Sequence, residues 1–382
     1  MNKQLVKTIK SEFKKFFSSE PLMVFAPGRI NLIGEHTDYN NGFVLPAAID
    51  KGIVVAIQKC VANITTIIAH DVDERYDFSL NTIQPIANGG WKNYVLGVIG
   101  ELQKTGKHIE NFNLVFGGDI PKGAGLSSSA ALENSVVFAI NELFNLGLSK
   151  TEMIFVSQKA EHNYVGVKCG IMDQYTSMFG KKNAAILLDC ENLEAKPIQI
   201  NLQQYQLLLI NTNVNHNLAN SAYNERRVTC ENVSKKLGIT SLRHAHENQL
   251  FNLKNELTEL EYQNALFVIQ ENQRVIDAFN TIKNENISGL GTLLFESHAG
   301  LQYQYNVSCT ELDFLVEKAK ESRVVVGARM MGGGFGGCTI NLVETNKLEK
   351  FKDQITTKYN QKFNTTCSFY NVKLSEGTIL IS

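Results

Sequence analysis

The chain has 382 residues, of which 43% are hydrophobic and 20% charged, with 37 Lys and Arg against 38 Asp and Glu. That length suits roughly two to three domains or one large two-lobed unit, and the composition excludes a collagenous, low-complexity or largely disordered chain. A net charge of −1 argues against a nucleic-acid partner, which a basic excess would mark. It does not argue against a small anion, which backbone amides can hold without any net charge.

In chain order, MNKQLVKTIKSEFKKFF lacks the apolar stretch of a signal peptide. It is expected to form an amphipathic helix with Leu5, Ile9, Phe13 and Phe16 on one face. Apolar, Val- and Ile-rich runs predict strands at 22–26, 52–59 and 64–69. Helical spacing runs from Trp91 to Leu102, with Gly106 as its stop. A strand at 112–116 precedes helices at 130–144 and 151–164, then strands at 184–189 and 206–211. The second half is mostly helical, at 219–237, 262–283 and 290–302. Strands at 324–328 and 339–343 flank a glycine cluster, and a last helix and a hairpin at 369–381 close the chain. Strands and helices mixed in both halves point to a two-lobed α+β architecture. The lobes are expected to be 1–203 and 204–382. Seven cysteines form no CxxC pair, which excludes a zinc ribbon and a thioredoxin-type motif. No apolar run approaches the ~18 residues of a membrane span. A reduced, cytoplasmic protein with no membrane partner is expected.

Three segments could carry chemistry. PGRINLIGEHTD at 27–38 places Arg29, Glu35, His36 and Asp38 in a loop after a strand. Carboxylates accept from sugar hydroxyls, so this loop suits a polyhydroxyl ligand. A solvated loop with a surface ion pair is the alternative. PKGAGLSSSAALE at 121–133 exposes amides at the start of a helix. There an anion meets bare N–H groups and the positive end of the helix dipole. A serine that merely caps the helix is the alternative. The chain has no GxxxxGK[ST] and no HRD or DFG set, which excludes a Walker loop and a protein-kinase site. MGGGFGGC at 331–338 fits GxGxxG through Gly332, Gly334 and Gly337. A strand rather than a helix follows, so a dinucleotide-binding turn is rejected. The run is expected to pack on the 121–133 loop. Asp173, in GIMDQ, reads by itself as a structural carboxylate.

These segments, in this order, resemble the galactokinases of the GHMP sugar and metabolite kinase superfamily. The resemblance extends to AEHNYVGVKCGIMDQ at 160–174, NSAYNERR at 220–227 and ESHAGLQYQYNVSCTELD at 296–313. It therefore covers nearly the whole chain. Thr310 departs from the pattern, which has proline there. The resemblance implies the GHMP kinase fold, with an N-terminal mixed-sheet lobe, a C-terminal α+β lobe and the active site in the cleft. It implies ATP and α-D-galactose as substrates and Mg²⁺ as cofactor, and a monomer is expected. Asp173 corresponds to the catalytic aspartate and Arg29 to the arginine beside it. Glu35, His36, Thr37, Asp38, Gly170 and Tyr223 correspond to the sugar site. Gly123, Ala124, Gly125, Leu126, Ser127, Ser128 and Ser129 correspond to the triphosphate loop, with Trp91 near the adenine. Ser129 and Glu161 correspond to the magnesium ligands. Thr37 favours galactose over N-acetylgalactosamine, whose kinases carry a bulkier apolar residue there. A kinase for N-acetylgalactosamine or L-arabinose is the close alternative. A non-catalytic galactose sensor is the distant one, disfavoured by the complete Ser127–Ala131 run with Asp173 and Arg29.

Overall fold

A computed structural model describes residues 1–121, 123–215 and 219–381. Its strands are, in chain order, Leu22–Asn31 (β1), Phe43–Val44 (β2), Pro46–Lys59 (β3), Thr65–Ala69 (β4), Glu74–Phe78 (β5), Phe112–Gly118 (β6), Ala184–Asp189 (β7), Ala195–Gln199 (β8), Tyr205–Asn215 (β9), Val325–Met330 (β10), Gly336–Glu344 (β11), Ser368–Asn371 (β12) and Ile379–Ile381 (β13). They form a six-stranded sheet in the order β13-β1-β3-β6-β4-β5, a four-stranded sheet β10-β11-β9-β12 and a three-stranded sheet β2-β7-β8. In the first sheet β4 runs parallel to β6 and every other pair is antiparallel. The expected mixed-sheet α+β architecture is the one that forms.

The first sheet is buried on both faces, and the alternation along β3 shows how. Ile53, Val55 and Ile57 join the core under helices Trp91–Lys104, Ser128–Phe144, Lys150–Ala160 and Met172–Phe179. Val54 and Ala56 point the other way, under the N-terminal helix Lys3–Phe17. That helix buries Ile9 and Phe13 completely. Its next contact is Phe17, one helical turn after Phe13, while Phe16 is 45% exposed, so the expected face is corrected at its end. The four-stranded sheet packs on helices Thr310–Glu321 and Leu348–Phe363. A further cluster crosses between the halves. It joins Ile30, Leu32 and Leu45 to Ala124, Leu126, Val275, Leu290, Met331 and Ile340. The roots of all three candidate loops therefore stand in one shared core.

Several expected boundaries move for identifiable reasons. The strand expected at 22–26 continues to Asn31 through Pro27. Its register shifts between Pro27 and Arg29, and a bulge is where a strand tolerates proline. Arg29 thus sits on a strand, not in a loop. The helix expected from 262 starts at Glu259, because Thr258 and Glu261 close a capping box. The helix expected at 151–164 is α-helical only to Ala160 and then makes a π turn, Glu161–Val165. The expected 369–381 hairpin does not form. β12 pairs with β9, whereas β13 pairs with β1, so the last strand returns to the first sheet.

Candidate active site

The three loops converge on a cleft of about 390 Å³. At its floor the β1 bulge aims Arg29 at Asp173, in the first turn of helix Met172–Phe179. Arg29 Nε donates to Asp173 Oδ1 at 2.7 Å and Nη2 to Oδ2 at 2.9 Å, a bidentate pair. Arg29 Nη1 also donates to the Gly125 carbonyl at 2.5 Å. Burial opposes the guanidinium charge, but Asp173, Glu35 and Asp38 outweigh it and raise its pKa above the ordinary value. Ser127, in the left-handed region at φ 56°, donates its hydroxyl to Asp173 Oδ2. The sequence offered Ser127 as a phosphate-loop donor or a helix cap. Its bond to Asp173 is a second role that loop composition could not reveal.

The sugar loop's carboxylates differ in environment. Glu35 and Asp38 both line the cleft. Glu35 Oε1 accepts from Arg329 Nη2 at 2.9 Å and from the Gly332 amide at 2.8 Å. Asp38 makes no ion pair among the described residues, and Arg29 only partly offsets the forces on it. Burial, then the charge of Asp173, pushes its pKa up to about 7. A Cβ on Gly170 would stand 2.1 Å from Asp38 Oδ2, so Gly170 makes room for that carboxylate rather than lining the cleft. His36 lines the cleft, yet both ring nitrogens are engaged. Nε2 lies 3.2 Å from the Gly333 carbonyl, which can only accept, so Nε2 carries the proton. Nδ1 then accepts from the Tyr39 hydroxyl at 2.8 Å. Burial lowers the ring's pKa to about 3, which leaves it neutral near pH 7. Tyr223 stacks obliquely 5.2 Å from the His36 ring and completes this wall.

Thr37 is a correction. It is fully buried and not on the cleft wall. Its hydroxyl lies 2.8 Å from the Gly34 carbonyl and 2.6 Å from that of Phe43, tying the loop's two ends. The C-terminal half holds the same ends. Glu271 Oε1 accepts from the Gly34 amide at 3.0 Å, and Asn272 Oδ1 from the Phe43 amide at 2.8 Å. Neither residue gave any sequence signal, because a lone polar side chain inside a long helix looks like a solvated position.

The raised Asp38 pKa makes a prediction. Between about pH 4 and pH 7 the folded state keeps a proton that the unfolded state releases, so this group's contribution to stability falls as pH rises. Asp38→Asn removes that loss. Its Tm relative to the parent, without ligands, is expected to be higher at pH 8 than at pH 5. Equal differences at both pH values would refute the assignment.

Gly123 and Gly125 adopt φ of 69° and 67°, which turns the 121–133 loop into the start of helix Ser128–Phe144. The glycine run packs directly on it, as expected. A Cβ on Gly332 would stand 3.4 Å from Gly125, and one on Gly337 3.3 Å from the Gly123 carbonyl. Gly123 to Ser129 line the cleft. Trp91 does not. It lines an adjoining, mostly apolar cavity of about 290 Å³ that shares Tyr94, Ser128 and Ser129 with the cleft. Its Nε1 donates to Glu74 Oε2 at 2.9 Å.

Behind Ser129 lies a second acidic cluster. Glu161 stands on the π turn, a distortion frequent at functional sites. Its Oε2 accepts from Gln174 Nε2 at 3.0 Å, and the Ser129 hydroxyl bonds to its carboxylate. Burial, then Asp173, pushes its pKa up to about 7. Glu133 is completely buried, and among the described residues its Oε1 has no hydrogen-bond partner. Burial, then Glu161, raises its pKa well above the carboxylate range. Crowded buried carboxylates with an orphaned oxygen are the donor set that a hard divalent cation satisfies. Among the described residues no three His, Cys, Asp or Glu side chains are arranged to hold a metal by themselves. A cation here would complete its shell with groups from outside these residues.

Comparison with known proteins follows this geometry. Family models for the GHMP kinases N terminal domain and the GHMP kinases C terminal match residues 93–181 and 276–361. The fold is that of the mevalonate kinase of Methanococcus jannaschii, at 18% identity and a TM-score of 0.66 over 94% of this chain and 99% of that one. The chain thus has the GHMP kinase fold and both of its domains. A third model, the galactokinase galactose-binding signature, matches residues 11–59. The galactokinase of Clostridium acetobutylicum is 39% identical over 382 residues, covering 98% of both chains. The galactokinase of Lactococcus lactis, solved in complex with galactose, superposes with a TM-score of 0.94 at 33% identity, over 98% of this chain and all of that one. The chain belongs to the galactokinase family.

Proposed function

We propose that this cleft transfers the γ-phosphoryl group of ATP to the C1 hydroxyl of α-D-galactose, giving galactose 1-phosphate and ADP, the entry to the Leloir route. The observation that carries this reading is the Arg29–Asp173–Ser127 constellation, set where the sugar loop meets the phosphate loop. Asp173 accepts the hydroxyl proton as the C1 oxygen bonds to the γ-phosphorus. The bond from that phosphorus to the β,γ-bridging oxygen breaks, and its electron pair leaves with ADP. Charge spreads over the equatorial oxygens of the transferring group, so the protein's task is positioning and charge stabilisation. Arg29 and the amides of residues 123–129 supply that stabilisation. Glu35 and Asp38 accept from sugar hydroxyls, with Tyr223 as a wall. Trp91 and its apolar cavity receive the adenine. Mg²⁺, held by Ser129 and Glu161, would neutralise phosphate charge.

The lobe division at 203/204 belongs to this proposal, with residues 379–381 returning to the first sheet. The enzyme in this proposal is a monomer. All seven cysteines are free, which suits a reducing, cytoplasmic setting.

A coupled ADP-release assay with galactose, N-acetylgalactosamine, L-arabinose and no sugar tests the reading. Galactose is expected to give the highest kcat/KM. A higher value for N-acetylgalactosamine would overturn the substrate, and sugar-independent ADP release would overturn the transfer itself.

A further inference from the structure

Arg329 is an unusual residue for its place. It sits in β10, just before the glycine run, with no exposed surface. A buried guanidinium is costly unless its donors are matched. Here Nε donates to the Leu32 carbonyl at 2.7 Å, Nη1 to that of Met330 at 2.8 Å and Nη2 to that of Asn31 at 2.8 Å. Nη2 also donates to Glu35 Oε1 at 2.9 Å, and the Gly332 amide meets the same oxygen at 2.8 Å. Two donors therefore fix one oxygen of Glu35. The residue itself lies on the cleft wall.

We infer that Arg329 is the positioning residue for sugar recognition. It locks Glu35 with Oε1 turned into the protein, so that Oε2 alone meets the sugar, as an obligate acceptor for one hydroxyl. The consequence is specificity rather than affinity in general. A free carboxylate could rotate to serve several hydroxyls, whereas a locked one reads a single position. Arg329 also grips the Asn31 and Leu32 carbonyls, at the end of the strand that carries Arg29. Sugar reading and the Arg29–Asp173 pair thus share one anchor. The inference rests on the galactose reading.

The test is a set of kcat/KM values for galactose and its 2-, 3-, 4- and 6-deoxy analogues, in the parent and in Arg329→Lys. A hydrogen bond to a charged group sets the parent's loss for one analogue at about 10- to 100-fold. Arg329→Lys keeps the charge but loses the fork. It is expected to cut that loss to less than ~5-fold while leaving the other analogues' ratios to galactose unchanged. A uniform loss across the series would make Arg329 merely structural and overturn the inference. No turnover of galactose by the parent would instead overturn the substrate reading.

If Arg329→Lys does not fold, Glu35→Gln carries the test. With Arg329 in place, the amide oxygen must face Arg329 and its NH₂ must face the sugar. The hydroxyl can still accept from that NH₂, but the charged acceptor is gone, so the loss for that analogue is expected to fall to less than ~5-fold. A loss kept at the parent's size in Glu35→Gln would mean that Glu35 does not meet that hydroxyl as a locked acceptor, and the inference fails.

Discussion

Asp173→Asn is expected to bind galactose and lose almost all turnover. Calorimetric affinity for the sugar should stay within ~3-fold of the parent, because Glu35 and Asp38 remain. Turnover should fall by about 10² to 10⁴, the usual worth of a positioned proton acceptor. The geometry says why a neutral amide cannot substitute. Asp173 holds two N–H donors of Arg29 and the Ser127 hydroxyl on its two oxygens. An asparagine would set its NH₂ against one of these donors. Arg29 would then lose its ion partner and shift in a site where small displacements are expensive. Retention of more than about a tenth of the parent rate, a barrier change under ~1.4 kcal/mol, would refute both base and orienting roles. Circular dichroism and Tm separate a catalytic loss from unfolding.

Glu161→Gln carries the second large effect, and its signature is metal dependence. The half-saturating Mg²⁺ concentration is expected to rise at least ~10-fold, with much of kcat recovered at high Mg²⁺. The parent has a further mark. Burial and the charge of Asp173 raise the pKa of Glu161, so protons compete with the cation. Lowering the pH from 8 to 6 should raise the parent's Mg²⁺ requirement. In the glutamine variant that requirement should move less. An unchanged Mg²⁺ curve in the variant would remove Glu161 from the metal site.

The sequence was most readable where local chemistry decides the structure. The helix 219–237 and the strand 184–189 form with the expected bounds. Boundaries failed where a tertiary partner decided them. β1 continues past Pro27 because β3 offers a register with a bulge. The final strand leaves its neighbour β12 because β1 presents an open edge. The site shows the same division. Arg29, Asp173, Glu35, Asp38, Glu161 and the residues of 123–129 are brought to one cleft. Thr37 and Gly170 act instead on the loop and on Asp38. Glu271, Asn272 and Arg329 were invisible because each is a polar residue far along the chain whose partner is a backbone group of the sugar loop. Nothing in local pattern reports such a pairing.

The return of Ile379–Ile381 to Met23–Phe25 bears on how the first sheet closes. Without it, one edge of β1 would have no partner strand. An open, apolar strand edge is a template for wrong partners. Closure joins residues almost the full chain apart, the kind of contact that forms last. Strand Ile379–Ile381 thus acts as a latch on the edge of β1.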